Sequence, residues 1–193
     1  MTKTAFKRTL VTLLIVLLSL IAVCVALYFA FEHDIDRALY PREYREFAEA
    51  YAKQYDVPVN LVYALIRTES GFDPEAVSSV GAVGLMQMMP STFRWLADDI
   101  LCEELADEAL FDPEVNIRYG VYYLRRMYDR YGNWQTAIAS YNAGSGRVDD
   151  WLRDSNLTDA AGELDPDKIP FEETRNYVKK VAKAYDAYCR LYP

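Results

Sequence analysis

The stretch ALIRTESGF (Ala64–Phe72) decides how the rest of the chain is read. Counting back from Glu69, the residues three, four and seven earlier are Ile66, Leu65 and Val62. That spacing puts three apolar side chains on one helical face with a carboxylate at its end. Pro58 suits the first turn of this helix, and the pattern carries it to about Ser70. An unperturbed glutamate has a pKa of about 4.3 and is ionised at neutral pH. Against apolar neighbours the charged form is disfavoured, and the pKa can climb to about 6. Two readings of Glu69 stay open on these residues alone. One is an acid held protonated for proton transfer; the other is a helix-end carboxylate paired with Arg67 or Arg94.

The segments on either side also read as helices. Tyr44, Phe47, Ala48, Tyr51 and Tyr55 recur every three or four residues over 42–55. Ser91 or Thr92 is placed to cap a helix running to about Leu101. Asp112 precedes Pro113 and Gly132 follows Tyr131, as an N-cap and a terminator flank a long helix. NWQTAIASYNAGSG and RVDDWLRD read as two more helices, and the last spans about Phe171–Leu191. GFDPEAVSSVGAVG, with its glycines, proline and serines, reads as a structured loop. No segment after residue 31 alternates with period two for long, so a mainly α domain is expected.

The N-terminus is of another character. Leu10–Phe31 holds 22 residues without a charge, enough to span a hydrocarbon core as a helix. Lys3, Lys7 and Arg8 precede it; Glu32, Asp34 and Asp36 follow. The chain therefore divides into a basic cytoplasmic N-terminus (1–9), a transmembrane signal-anchor (10–31), a charged juxtamembrane linker (32–40) and an exported domain (41–193). A cleaved signal fits less well, because the apolar region is long and bulky residues occupy its end. Lipidation at Cys24 fits less well too, since Val23 is larger than the residue such sites usually carry. All three readings export the domain and place it on the extracytoplasmic side of the cell membrane.

Charge and residue counts exclude several functions. The first 31 residues hold no acid, so the remaining 18 basic residues face all 29 acids, a net charge of about −11. An acidic domain is a poor partner for nucleic acid, whose phosphates call for clustered Lys and Arg. A single histidine, His33, stands beside the apolar span, so neither a His-based metal site nor a Ser–His triad can be built in the domain. Carboxylates remain as the acid–base groups. Cys102 and Cys189 lie where a disulfide is chemically permitted, and the sequence does not say whether they meet.

Four stretches then appear in order: ESGF (Glu69–Phe72), GLMQMMP (Gly84–Pro90), SYNAG (Ser140–Gly144) and IPFEETRNYV (Ile169–Val178). Together, over roughly Pro41–Leu191, they closely resemble the catalytic domain of the soluble lytic transglycosylases, which cleave bacterial peptidoglycan. The resemblance implies a lysozyme-like fold of the goose-type/lytic transglycosylase kind. It also implies that Glu69 is the catalytic acid, that peptidoglycan glycan strands are the substrate, and that no metal or organic cofactor takes part. The family lacks a second catalytic carboxylate, so Asp73, the nearest other acid, is read as a turn residue. The muramyl 6-hydroxyl would attack C1 instead, leaving a 1,6-anhydro end.

The same resemblance assigns the surrounding residues. Ser70 is expected near the substrate acetamide, and Ser78 touches substrate or serves simply as a loop serine. Gln87 offers a donor and an acceptor to a sugar amide. Met86 and Met89 offer adaptable apolar surface, and Met88 fills core. Tyr141 aims its hydroxyl at the intermediate or at Glu69, and Asn142 caps its helix or binds sugar. Glu173 is a subsite contact, Arg175 braces a carboxylate, and Tyr177 is core or groove wall. The chain departs from the family pattern at Met88, where isoleucine is frequent, and at Ser140, where alanine is usual. Two rival readings remain: a muramidase that uses water, and a non-catalytic wall-binding module. Protein partners are not indicated.

Overall fold

Two units share the chain, Met1–Pro41 and Arg42–Pro193. The computed structural model describes the backbone from Lys3 to Pro193 and the side chains except at 3–7, 29–34, 99 and 100. In the first unit one helix, α1, runs Lys3–Leu39. Its segment Arg8–Tyr28 has a mean hydropathy of 3.2 and is exposed throughout, the one described helix long and apolar enough to cross a membrane. The charged stretch after it is helical as well; no glycine or proline intervenes before Pro41 to stop the helix. Lys3, Lys7, Glu32 and Asp34, on which the sidedness reading leans, are among the residues whose side chains are not described.

The second unit is built of helices α2 (Arg45–Gln54), α3 (Val59–Glu69), α4 (Pro90–Arg94), α5 (Pro113–Tyr131), α6 (Trp134–Ala143), α7 (Ser145–Leu152) and α8 (Glu172–Leu191). Among the described residues there is no strand, only three isolated antiparallel bridges. The mainly α expectation holds. Helix α3 is the hub: Leu61–Ile66 are each no more than 3% exposed, because α8 covers one side and α2 another. Thr174, Tyr177, Val178, Val181, Ala184, Tyr188 and Leu191 make the stripe of α8 turned inward. Helix α6 packs between α5 and α8, and its residues 136–140 are buried.

Helix ends follow the chemistry of their caps. Asp112 accepts from Val115 N at 3.0 Å and Gly132 stops α5, as expected. Asn133 accepts from Thr136 N at 3.0 Å and starts α6. The capping expectation for Ser91 and Thr92 is corrected: α4 begins at Pro90, preceded by Met89, with no side-chain cap. Proline at the first position lacks one of the N–H groups a cap would satisfy. The helix expected to reach Leu101 is α-helical only to Arg94; Trp95–Leu101 continues as a π-helix. A 3₁₀ turn, Asp107–Phe111, precedes α5 and was not foreseen. Cys24, Cys102 and Cys189 are all free thiols.

The glycine-rich loop is held down by one buried amide. Asn116, on α5 and 1% exposed, accepts from Met86 N at 2.8 Å. It donates to Val83 O at 2.9 Å and to Leu110 O at 2.7 Å. Gly84 comes so close that a Cβ there would lie 2.2 Å from Asn116 Nδ2, and its φ is +76°. Replacing Asn116 by alanine strands Leu110 O and Met86 N in the interior, while Val83 O keeps its bond from Met88 N. The expected cost is about 3 kcal/mol or more, against about 1 kcal/mol for Asn133→Ala at an exposed cap. Urea unfolding of the two variants measures the difference.

Candidate active site

The chain that leaves α3 turns at once. Ser70 ends the helix, and Gly71 and Phe72 both have positive φ, 63° and 73°. Ser70 Oγ accepts from Phe72 N at 3.2 Å and donates to Leu85 O at 2.8 Å. It thus ties the end of α3 to the GLMQMMP segment. Ser78 does the same within the loop, its Oγ accepting from Ala82 N at 2.9 Å. Bridges Val77–Val83 and Val83–Met88 complete this folded-back platform.

Glu69 stands at the junction. Among the described residues its side chain takes part in no ion pair; Arg94 is bound to Asp107 instead. Burial pushes its pKa up to about 7, partly opposed by the Tyr177 hydroxyl, which donates to Oε1 at 2.5 Å. Burial and the nearby Glu69 charge hold the Tyr177 hydroxyl well above its ordinary range, so it stays a donor. With Oε1 occupied by that donor, Oε2 is left to carry the exchangeable proton. The result is a carboxyl poised between acid and base at neutral pH. Asp73, by contrast, is exposed and accepts from Glu75 N in a local turn at 2.9 Å.

A cleft of about 230 Å³ has Tyr141 in its wall, a hydroxyl on which the Glu69 charge acts; Glu69 itself is not among the lining residues. Gln87, Met89, Tyr141 and Asn142 line it, joined by Met88, Thr92, Tyr123, Ala143 and Gly144. Four expected contact residues therefore share one surface. The Gln87 amide nitrogen is committed to Ala76 O (3.1 Å) and Gly84 O (2.9 Å), and its φ is +48°. Asn142 Oδ1 accepts from Thr174 Oγ1 at 2.7 Å, which locks the amide against α8. The Met89 side chain is 38% exposed and is the adaptable apolar edge of the cleft.

The expectations for Met86, Tyr141, Glu173 and Arg175 are corrected. Met86 is core, with no exposed surface; its sulfur fills the space that Gly120 leaves, 2.5 Å from where a Cβ would sit. The Tyr141 hydroxyl donates to Met86 O at 2.8 Å and not to Glu69, although the Glu69 charge helps push its pKa up. Tyr177, expected as core or groove wall, is buried in the core and in addition supplies the hydrogen bond to Glu69. Glu173 is exposed in the first turn of α8 and does not line the cleft. Arg175 braces a backbone carbonyl, Ile169 O, in place of a carboxylate. Ser140 is buried and donates to the Met127 sulfur at 3.0 Å. Asn116, Thr174 and Tyr123 were missed; Asn116 alone carried a signal, as an amide amid apolar positions of α5.

Comparison with known proteins matches residues 46–162 to the model of the transglycosylase SLT domain. The chain belongs to this family. It is 39% identical over 159 residues to the soluble lytic murein transglycosylase of Escherichia coli K12, covering 79% of this chain and 24% of the relative. It is 32% identical over 174 residues to the membrane-bound lytic murein transglycosylase C of Actinobacillus pleuropneumoniae, covering 78% and 47%. Among solved structures, the lytic transglycosylase Slt of Pseudomonas aeruginosa, an inactive glutamate-to-glutamine mutant, superposes with a TM-score of 0.70 at 34% identity, covering 79% of this chain and 25% of that one. The chain thus spans about a quarter to a half of the length of these relatives, and its SLT domain has their lysozyme-like helical fold.

Two measurements probe the carboxyl. Tyr177→Phe removes the donor that favours the ionised form, so the Glu69 pKa rises above about 7. Carboxyl ¹³C NMR titration reads this; an unchanged or lowered value contradicts it. Stability gives the second test. Between the ordinary value of 4.5 and about 7 the folded chain keeps a proton that the unfolded chain releases. Folding stability therefore falls as pH rises through that window, by about 3 kcal/mol in all. Glu69→Gln has no proton to lose, so its Tm relative to wild type increases from about pH 5 to about pH 8. Parallel melting curves with pH would refute the assignment of a buried, protonated Glu69.

Proposed function

We propose that the chain is a membrane-anchored lytic transglycosylase acting on peptidoglycan with Glu69 as its one acid–base group. The observation that carries this reading is the pairing of a desolvated carboxyl, its pKa lifted to about 7, with a neighbouring cleft whose wall residue Tyr141 feels that carboxyl's charge and whose lining holds no carboxylate of its own. Glycosidases that use water or a protein nucleophile place two carboxyl groups across the scissile bond. A reaction whose nucleophile belongs to the substrate needs only one, because the attacking hydroxyl already has a high effective concentration.

In this mechanism Glu69 gives its proton to the oxygen bridging N-acetylmuramic acid and N-acetylglucosamine. The bond from that oxygen to C1 breaks, and the sugar's N-acetyl oxygen shields the positive charge at C1. Glu69, now ionised and still hydrogen-bonded to Tyr177, takes the proton of the muramyl 6-hydroxyl as that oxygen bonds to C1. The product is a 1,6-anhydromuramyl end, no water is consumed, and Glu69 is again protonated. A pKa near the working pH suits both halves of the cycle. The Pseudomonas relative, inactive after a glutamate-to-glutamine change, supports a glutamate requirement in that protein. Gln87, Met89, Tyr141 and Asn142 bind the glycan in this reading, and Ser70 and Ser78 act by holding the platform.

The anchor is proposed on the same footing. Residues 10–31 span the membrane once, residues 1–9 stay in the cytoplasm, and the domain faces the wall. The apolar Arg8–Tyr28 segment and the membrane-bound relative support this. Mass spectrometry of digested peptidoglycan tests the chemistry. Wild type is expected to yield anhydro ends, and Glu69→Gln at least about 100-fold fewer. Reducing muramic ends in their place would make the enzyme a water-using muramidase. Equal release by both forms would leave only a binding module.

A further inference from the structure

The ten-residue helix α6 ends at the cleft but begins at a different concavity. Ala143 lines the cleft, whereas Trp134 lines a pocket of about 610 Å³ that shares no residue with it. At about 1.5 Å per residue, the two ends of α6 are about 14 Å apart along its axis. The pocket floor is apolar, formed by Ala52, Val57, Pro58 and Val59. One wall is a stacked pair, Tyr128 and Trp134, with ring centroids 4.0 Å apart and planes at 21°.

The rim decides what charge the pocket takes. Glu49 accepts from Arg42 and Arg45, and Asp56 and Asp129 are both held by Arg125. Lys53 stands one turn after Glu49, and no ion pair among the described residues claims it. The lining charges thus balance, two acids against two bases, and Lys53 is the one of them outside an ion pair among the described residues, in a domain of about −11. Among the described residues neither the Tyr128 hydroxyl nor the Trp134 indole N–H has a hydrogen-bond partner. Two free donors, a flat aromatic surface, an apolar floor and an ammonium therefore surround a space within the usual range for small ligands.

That combination matches a sugar with an acetamido methyl group, ring hydroxyls and a carboxylate. The apolar faces lie on the aromatic wall and floor, the hydroxyls meet the two donors, and the carboxylate meets Lys53. We propose that this pocket is a second, non-catalytic site for a muropeptide unit, the acidic peptide-bearing sugar of peptidoglycan. The inference rests on the substrate class given under Proposed function. A strand gripped at Trp134 is presented to the cleft at high local concentration, so the two sites on α6 and α5 act as a bivalent hold on a polymer.

The test uses the full chain in detergent micelles with Glu69→Gln, so that ligand persists. A purified disaccharide–tripeptide muropeptide is titrated by calorimetry, with neutral chitotetraose in parallel. Two classes of muropeptide site are expected, with quenching of tryptophan fluorescence that Trp134→Phe abolishes. Lys53→Met weakens one class at least tenfold, and Lys53→Arg restores it. A single class of site, or two classes indifferent to Lys53→Met, overturns the proposal. So does chitotetraose filling the Trp134 pocket as tightly as the muropeptide. The outcomes are separable from those of the catalytic reading: wild-type anhydro products depend on Glu69 and stand whatever Lys53 does. Loss of those products leaves a Lys53-dependent muropeptide site intact.

Discussion

A helix whose residues 61–66 are each no more than 3% exposed must deliver its last turn to the edge of the core, and Glu69 is what it delivers. The rest of the domain follows from that placement. A carboxyl at the end of a solvated helix would ionise near its ordinary value; here α2 and α8 remove water from α3, and the protonated form prevails up to about pH 7. Tyr177 is the counterweight. Its hydroxyl favours the anion, and without such a donor burial alone would drive the acid too high to give up its proton readily. Desolvation by one helix and a hydrogen bond from another therefore set a single number between them.

The carboxyl is useful only if a surface for the ligand is fixed beside it, and two small polar side chains do this. Ser70 fastens the end of α3 to Leu85 O, and Asn116 fastens Val83, Met86 and Leu110 to α5. Met86, threaded into the gap over Gly120, leaves its own carbonyl for Tyr141. Each of these is an interior group satisfying another, so the platform cannot shift without exposing several unpaired donors and acceptors at once. The cleft inherits that rigidity.

Periodicity made α2, α3, α5, α6 and α8 legible, because an apolar stripe at helical spacing leaves few alternatives, and Asp112, Asn133 and Gly132 mark ends by local chemistry alone. Glu69 was legible for the same reason: the apolar residues three, four and seven before it announce poor solvation. What was not legible depends on which of two similar residues tertiary packing selects. Tyr141 and Tyr177 both lie in motifs, and nothing local distinguishes the one that reaches Glu69 from the one that reaches Met86 O. Met86 and Met89 differ in the same way, one beneath the platform and one at its edge. The turn after residue 94 was missed because its change from α to π hydrogen bonding leaves no mark in composition.

With Glu69 as the proposed acid–base group, the molecule's stability and its chemistry pull against each other there. An acid that keeps its proton to about pH 7 is an acid whose ionised form the fold opposes, so above that pH the core holds a charge it would shed by unfolding. The surrounding structure answers this cost away from the site. Buried tyrosines stack across α3 and α8, Tyr63 on Tyr188 with centroids 5.6 Å apart, and Arg42 lies over both Tyr63 and Tyr192. Those contacts hold α3 at Tyr63, ahead of the last turn that carries the buried carboxyl. A helix so held can place a reactive, poorly solvated group at its end without yielding, and that asymmetry is why the carboxyl sits at the C-terminal end of α3 and not in its middle.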